Sequence, residues 1–360
     1  MKVGHRQAIN LKGPTRSSRA FSFWPSCKRL SSSAPVSGIA RQQRCTLTVV
    51  VVATATVAGV AAWRGRGGWA LLVLGAPLIV YALVLAFEFV LGALIAGSGR
   101  PPVAEWLRAW AGEWWAASRS FCWRQPFCST VRPNSRPEIP EQRRPGGGVP
   151  AVVLVHGFLC NRGVWSDWLE RLAERGISFA AVDLEPALGA PEEWQRTIDD
   201  AMRSMRVATG RAPVVVAHSL GGVLVREWWQ HRPDAAIAHL ITLGSPHRGT
   251  WMARLALHSD LRRLRLGSNW LKELQAGEPP SRARRLTCFY APCDNIVFPA
   301  LMATHPGADN RPLHACGHVQ MIDRPEPFDA LLAVLEAAAG AASPGNRPTE
   351  SRSSGGPTSR

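Results

Sequence analysis

Several signatures are missing from this 360-residue chain. No cysteines form a Cys-x-x-Cys pair, and no His and Cys spacing matches a standard zinc site. Arg-Gly repeats, an RNA-binding aromatic signature and internal repeats are also missing. A nucleic-acid partner would rest on charge alone and is not expected. Acidic residues are missing from residues 1–46, which carry nine Lys or Arg and supply more than half of the net charge of +16. A basic arm that orients a membrane segment accounts for this excess.

Eight cysteines are present: Cys27, Cys45, Cys122, Cys128, Cys160, Cys288, Cys293 and Cys316. A chain of this length does not need a disulfide framework, so free, partly buried thiols are expected. Cys288 and Cys293 are close enough in sequence to pair in an oxidising compartment.

The organisation reads as five regions. Residues 1–46, rich in Ser, Arg and Pro, form a disordered arm. Residues 47–98 are a membrane region with candidate helices at 47–62 and 69–96. The first is marginal in length for a span; the second carries one charge, Glu88, and passes clearly. Residues 99–149 hold a Trp-rich helix and a Pro/Gly linker. Trp106, Trp110 and Trp114 share one helix face, and Arg108, Arg119 and Arg124 suit anionic lipid, so an interfacial helix is expected; packing on the next domain is the alternative. Residues 150–342 form a globular domain, and 343–360 a disordered tail.

Within 150–342, short apolar runs alternate with helical stretches. Strands are expected at 151–155, 178–182, 213–217, 238–243, 285–290 and, weakly, 311–316. Helices are expected at 163–175, 191–208, 220–231 and 326–340. This alternation implies an α/β fold, a mostly parallel sheet with helices on both faces. Residues 247–285, with leucines and tryptophans among arginines, are expected to form a small helical cap.

The run Val214-Val215-Val216-Ala217-His218-Ser219-Leu220-Gly221-Gly222 takes a buried strand directly into a serine and then a helix. Small residues at 217 and 221 leave room for a tight turn that holds the Ser219 hydroxyl at the top of the sheet. Ala217 departs from the usual glycine. His156-Gly157-Phe158 follows the first strand, where a loop amide is expected to join that of Leu220 as an oxyanion hole. The ring of His156 is expected to orient the loop. A nucleophilic serine needs a base, and that base an orienting acid, here in the order Ser, acid, His. Asp294, just past strand 285–290, is the best-placed acid, ahead of Asp309 and Asp323. His318, after Gly317, is the best-placed base, ahead of His314 and His305. Asp183 and His247 read as structural.

These segments, with Gly244-Ser245-Pro246-His247-Arg248-Gly249-Thr250 and Asp294-Asn295-Ile296-Val297, together resemble the bacterial triacylglycerol lipase and esterase branch of the α/β-hydrolases over residues 150–340. The resemblance implies a Ser219, Asp294, His318 triad, an acyl-ester substrate, and no cofactor or metal. The same triad would also serve a thioesterase, lactonase, amidase or acyltransferase, and a non-catalytic membrane-anchored scaffold is a further alternative. Lipid or acyl ester and membrane are the expected partners. The location read from composition is a bacterial inner membrane, with the arginines favouring two spans and a cytoplasmic domain. The oligomeric state is not indicated.

Overall fold

A computed structural model of the chain describes residues 36–96, 100–135, 149–189 and 191–340. The expectations for most of the basic arm, most of the linker and the tail lie outside the described residues.

The globular part is built on six strands: β1 (Val152–Val155), β2 (Phe179–Ala181), β3 (Val214–His218), β4 (His239–Leu243), β5 (Leu286–Tyr290) and β6 (Asp309–Pro312). Their order is β2-β1-β3-β4-β5-β6, and every pairing is parallel. β1 and β3 consist of buried residues throughout, as strands covered on both faces must. Successive side chains point to opposite faces, so Val153 and Val155 join one core while Val152 and Leu154 join the other. Helices α5 (Pro191–Thr209) and α6 (Leu220–Gln230) cover the first face. Trp194, Ile198, Met202 and Met205 of α5 recur every three or four residues and form its buried stripe. Helices α4 (Ser166–Glu174) and α10 (Pro325–Gly340) cover the second face through Trp168, Leu172, Phe328 and Leu331. Short helices α7 (Ser259–Arg262), α8 (Asn269–Ala276) and α9 (Pro280–Ala283) lie between β4 and β5, within the expected cap.

The chain leaves β1 for β2 on one side and returns to β3 on the other. The strand order reverses between β1 and β3, so the loops after them lie side by side at the carboxyl edge of the sheet, the place where a crevice forms in such a fold. β6 starts before the expected 311–316, and all four of its residues are exposed. Polar side chains suit an edge strand, which needs only backbone pairing with β5.

Two long helices precede this domain: α1 (Gly38–Trp63) and α2 (Gly67–Ile95), joined at Arg64–Arg66. Both are long and apolar enough to cross a membrane, with mean hydropathies of 2.1 and 2.6. Helix α1 starts at Gly38 rather than 47, so residues 38–46 of the expected arm are helical. Ser37 caps it by accepting from Ala40 N, and the Glu185 carboxylate takes the Gly38 N–H.

Helix α3 (Val103–Arg119) continues into a π-helical segment, Ser120–Cys128. Its tryptophans turn towards α2. Trp110 donates to Ala82 O (3.0 Å), and Trp106 meets Phe89 edge-on at 6.0 Å. Two of the arginines expected at lipid are paired within the protein. Arg124, 1% exposed, bonds Asp323 at 2.6 Å and also Asp167; Arg119 reaches Asp167 at 3.2 Å. Cys288 and Cys293 are buried free thiols, whereas Cys128 is disulfide-bonded.

Candidate active site

Ser219 lies between the last residue of β3 and the first residue of α6. Its backbone has φ 54° and ψ −130°, a conformation an L-residue adopts only under constraint. The constraint is visible. Ser219 N donates to Leu243 O of β4 (2.8 Å), and the turn is packed against the loop after β1. A Cβ on Gly221 would lie 2.5 Å from His156 O, and one on Gly157 would lie 2.8 Å from the Ser219 Cβ. Only glycine permits these approaches. Ala217 is fully buried in the core and is accommodated without a glycine.

His318 comes from the loop after β6. Its Nε2 lies 2.9 Å from Ser219 Oγ, and its Nδ1 lies 3.0 Å from Asp294 Oδ2. Asp294 follows β5 and is 2% exposed. Its other oxygen accepts the amides of Ile296 and Val297, both at 2.8 Å, which fixes the carboxylate plane. An ionised carboxylate only accepts, so Nδ1 carries the proton and Nε2 offers its lone pair to the serine. Burial disfavours the imidazolium, but the charge of Asp294 and its hydrogen bond outweigh this, with Glu113 and Glu88 adding to them. The His318 pKa is therefore raised above the ordinary histidine value. The arrangement suits proton transfer from a serine hydroxyl.

The surrounding residues sort by their bonds. Leu184 N donates to His156 Nε2 (3.0 Å), which leaves Nδ1–H to donate to Gly157 O (2.8 Å). The ring thus ties the loops after β1 and β2 together. The His218 ring lies tilted against that of His318 with ring centroids 4.7 Å apart, and its Nε2–H donates to His318 O (3.1 Å). Burial, followed by the His318 charge, holds its pKa well below the ordinary value, so it stays neutral. Phe158 and Leu220 line a small, partly open hollow with Trp194, Leu224, Leu261 and Trp270. The Leu220 amide opens α6, where it has no partner within the helix.

The other candidates are engaged elsewhere. His305 bonds Glu278 (2.9 Å), His314 faces Glu105 (3.6 Å), and Asp309 pairs with Arg311. Asp323 pairs with Arg124, and Asp183 accepts Arg162 N at 2.7 Å. His247 is buried between Thr242 and Arg226.

Three residues at the site carried no expected role in the sequence. Asn295 Oδ1 accepts the His318 amide (3.1 Å), and its Nδ2 donates to Glu88 of α2 (2.7 Å). Glu113 of α3 accepts the amides of Val319 and Gln320, both at 2.8 Å. Position beside Asp294 was the one sequence signal for Asn295, and a lone acid in an apolar stretch the one for Glu88; Glu113, which shares its helix with Glu105, carried none.

The model of the Alpha/beta hydrolase family matches residues 152–338, just over half of the chain. The chain belongs to the alpha/beta hydrolase family. The parallel sheet, the strained serine turn and the crevice above it are this hydrolase's version of that fold. Among solved structures it is similar to the mature Bacillus licheniformis lipase BlEst2 (20% identity, TM-score 0.45), with 53% of this chain and 94% of that one covered. It is also similar to Aspergillus fumigatus lipase B (16%, TM-score 0.45; 54% and 53% covered). A third is Paleococcus ferrophilus monoacylglycerol lipase (18%, TM-score 0.38; 55% and 97% covered). Such distant likenesses say nothing of this hydrolase's substrate. Among curated proteins, none matches the chain.

Proposed function

We propose that this chain is a serine hydrolase that cleaves carboxylic esters, acyl or lipid esters foremost, while held at a membrane by the α1–α2 hairpin. The observation that carries the reading is the placement of His318 between Ser219 Oγ (2.9 Å) and Asp294 Oδ2 (3.0 Å). In the proposed mechanism His318 Nε2 takes the Ser219 proton as Oγ attacks the ester carbonyl. The amides of Phe158 and Leu220 stabilise the oxyanion. Collapse of the tetrahedral intermediate breaks the C–O bond, and His318 returns the proton to the leaving alcohol. Water, deprotonated by the same nitrogen, then releases the acyl group and restores Ser219. Asp294 holds the imidazole tautomer throughout. The mostly apolar walls of the hollow beside Leu220 would face the acyl portion. The hydropathy of α1 and α2 supports the anchor, and both outer ends of the hairpin meet the hydrolase, at Glu185 and Asn295.

The test is hydrolysis of a p-nitrophenyl ester series, acetate to palmitate, by the full chain in detergent micelles. Ser219→Ala is expected to lower kcat by about 10⁵–10⁶-fold. The chain-length optimum separates esterase from lipase. A rate preserved in Ser219→Ala overturns the mechanism, and failure of a fluorophosphonate probe to label the parent points to a scaffold.

A further inference from the structure

We infer that Glu113 of α3 and Glu88 of α2 are positioning residues for His318, so that the N-terminal helices complete the catalytic unit as well as anchoring it. The inference rests on the Ser219, Asp294, His318 reading, and both residues lie outside the stretch matched by the family.

The geometry is specific. His318 is followed by a short 3₁₀ helix, Val319–Asp323, whose leading amides have no partners within so short an element. Glu113, 1% exposed, supplies both missing acceptors from another segment of the chain, 206 and 207 residues away. Its approach is close enough that a Cβ on Gly317 would lie 2.6 Å from the Glu113 Cβ. Glu88 acts on the neighbouring loop. It holds the Asn295 amide group, and Asn295 in turn accepts the His318 N–H. The α2 backbone also lies against the acid loop, since a Cβ on Gly92 would be 3.3 Å from Asp294 O. The two carboxylates thus brace the base loop and the acid loop from outside the sheet. A buried carboxylate is costly, and an apolar side chain would fill the same space at less cost. What Glu113 adds is a pair of fixed bonds one residue past His318.

The carboxylates also contribute charge. His318 is faced by Asp294 from the β5 loop, Glu113 from α3, Glu88 from α2 and neutral His218 from β3. Removing either glutamate charge favours neutral His318, which moves the acid limb of the rate profile to lower pH. A purely structural brace would leave that limb in place.

The experiment compares kcat, KM and the pH profile of kcat/KM for the full chain in micelles with Glu113→Ala, Glu113→Gln, Glu88→Gln and Ser219→Ala. Glu113→Ala is expected to lower kcat about 10- to 100-fold with KM within about twofold. Glu113→Gln keeps one acceptor and recovers part of kcat, while the acid limb stays shifted down in both variants. Glu88→Gln keeps the bond to Asn295 and shifts the limb in the same direction. If Glu113→Ala does not fold, the two glutamine variants carry the test. Folded variants with the parent's kcat and acid limb overturn the inference while an inactive Ser219→Ala leaves the triad reading standing. An active Ser219→Ala removes both.

Discussion

Ser219 and His318 are held by different kinds of structure. Ser219 is held by backbone: a strained turn, a bond to β4 and two glycine contacts, all within the stretch matched by the family. The loop that carries His318 is held by side chains: Glu113, from a helix that precedes the family match, and Asn295, which is itself held by Glu88 of another such helix. A backbone device needs a short run of small residues, so it can be read as a motif. A side-chain device needs one residue anywhere in the chain, and its partner is known only once the chain has folded. On the proposed reading, the family stretch alone is an incomplete catalytic unit, and each region has a variant that should break it in its own way.

After loss of Ser219 itself, the largest effect is expected at the acid that both regions contact. Asp294→Asn keeps the shape of the loop but removes the acceptor that fixes the Nδ1–H tautomer, and it is expected to lower kcat by about 10⁴-fold. Loss of the carboxylate also removes the main influence that raises the His318 pKa, so any residual activity should persist to lower pH than in the parent. Steady-state kinetics across pH checks both. An unchanged kcat would place the orienting acid elsewhere.

A stability effect is expected at the joint between the regions. Arg124 is 1% exposed and is shared by Asp323, just past the His318 loop, and Asp167 of α4. Arg124→Ala leaves the two carboxylates with Arg119 alone as their counter-ion, at 3.2 Å from Asp167 and 3.8 Å from Asp323. Asp167 is 37% exposed and can rehydrate, so the cost is set at the lower end of that for a broken buried pair, about 3 kcal/mol. Urea unfolding of the full chain in micelles measures it. A loss as large as this would show that the π-helical segment belongs to the folding unit of the hydrolase. A loss near zero would make it an attached strap.

The same contrast explains what could be read before folding. The alternating apolar strands, the helices with buried stripes, and the order Ser219, Asp294, His318 are local patterns with known periods. The structure brings those three side chains together. What could not be read depends on distant partners. β6 is polar, and pairing with β5 alone makes it a strand. The Trp106 and Trp110 face suits headgroups or protein equally well until Phe89 and Ala82 are placed beside it. Arg119 and Arg124 look like lipid contacts until Asp167 and Asp323 meet them. Glu113 is one of two acids among the tryptophans of α3, and only the folded chain shows that it faces the His318 loop.

The smallest expected effect is also the most specific to Glu113. Burial raises its pKa from 4.5 to about 7, against the opposing influence of the Val319 and Gln320 amides and of His318; Asp294 adds to the rise. A carboxyl group with a raised folded pKa binds its proton more tightly when folded. Its stabilising contribution is therefore complete below 4.5 and lost as pH rises through about 7. His318, also raised, contributes in the same direction, whereas His156, His218 and His247, all lowered by burial, contribute in the opposite one. The parent's own stability curve mixes these, but a difference curve isolates one of them. Glu113→Gln cannot titrate, so the thermal midpoint of the parent minus that of the variant should fall between about pH 4.5 and 7. A flat difference would mean that Glu113 is charged throughout that range, its two backbone bonds outweighing its burial. In that case it would act on His318 as a fixed charge at every working pH.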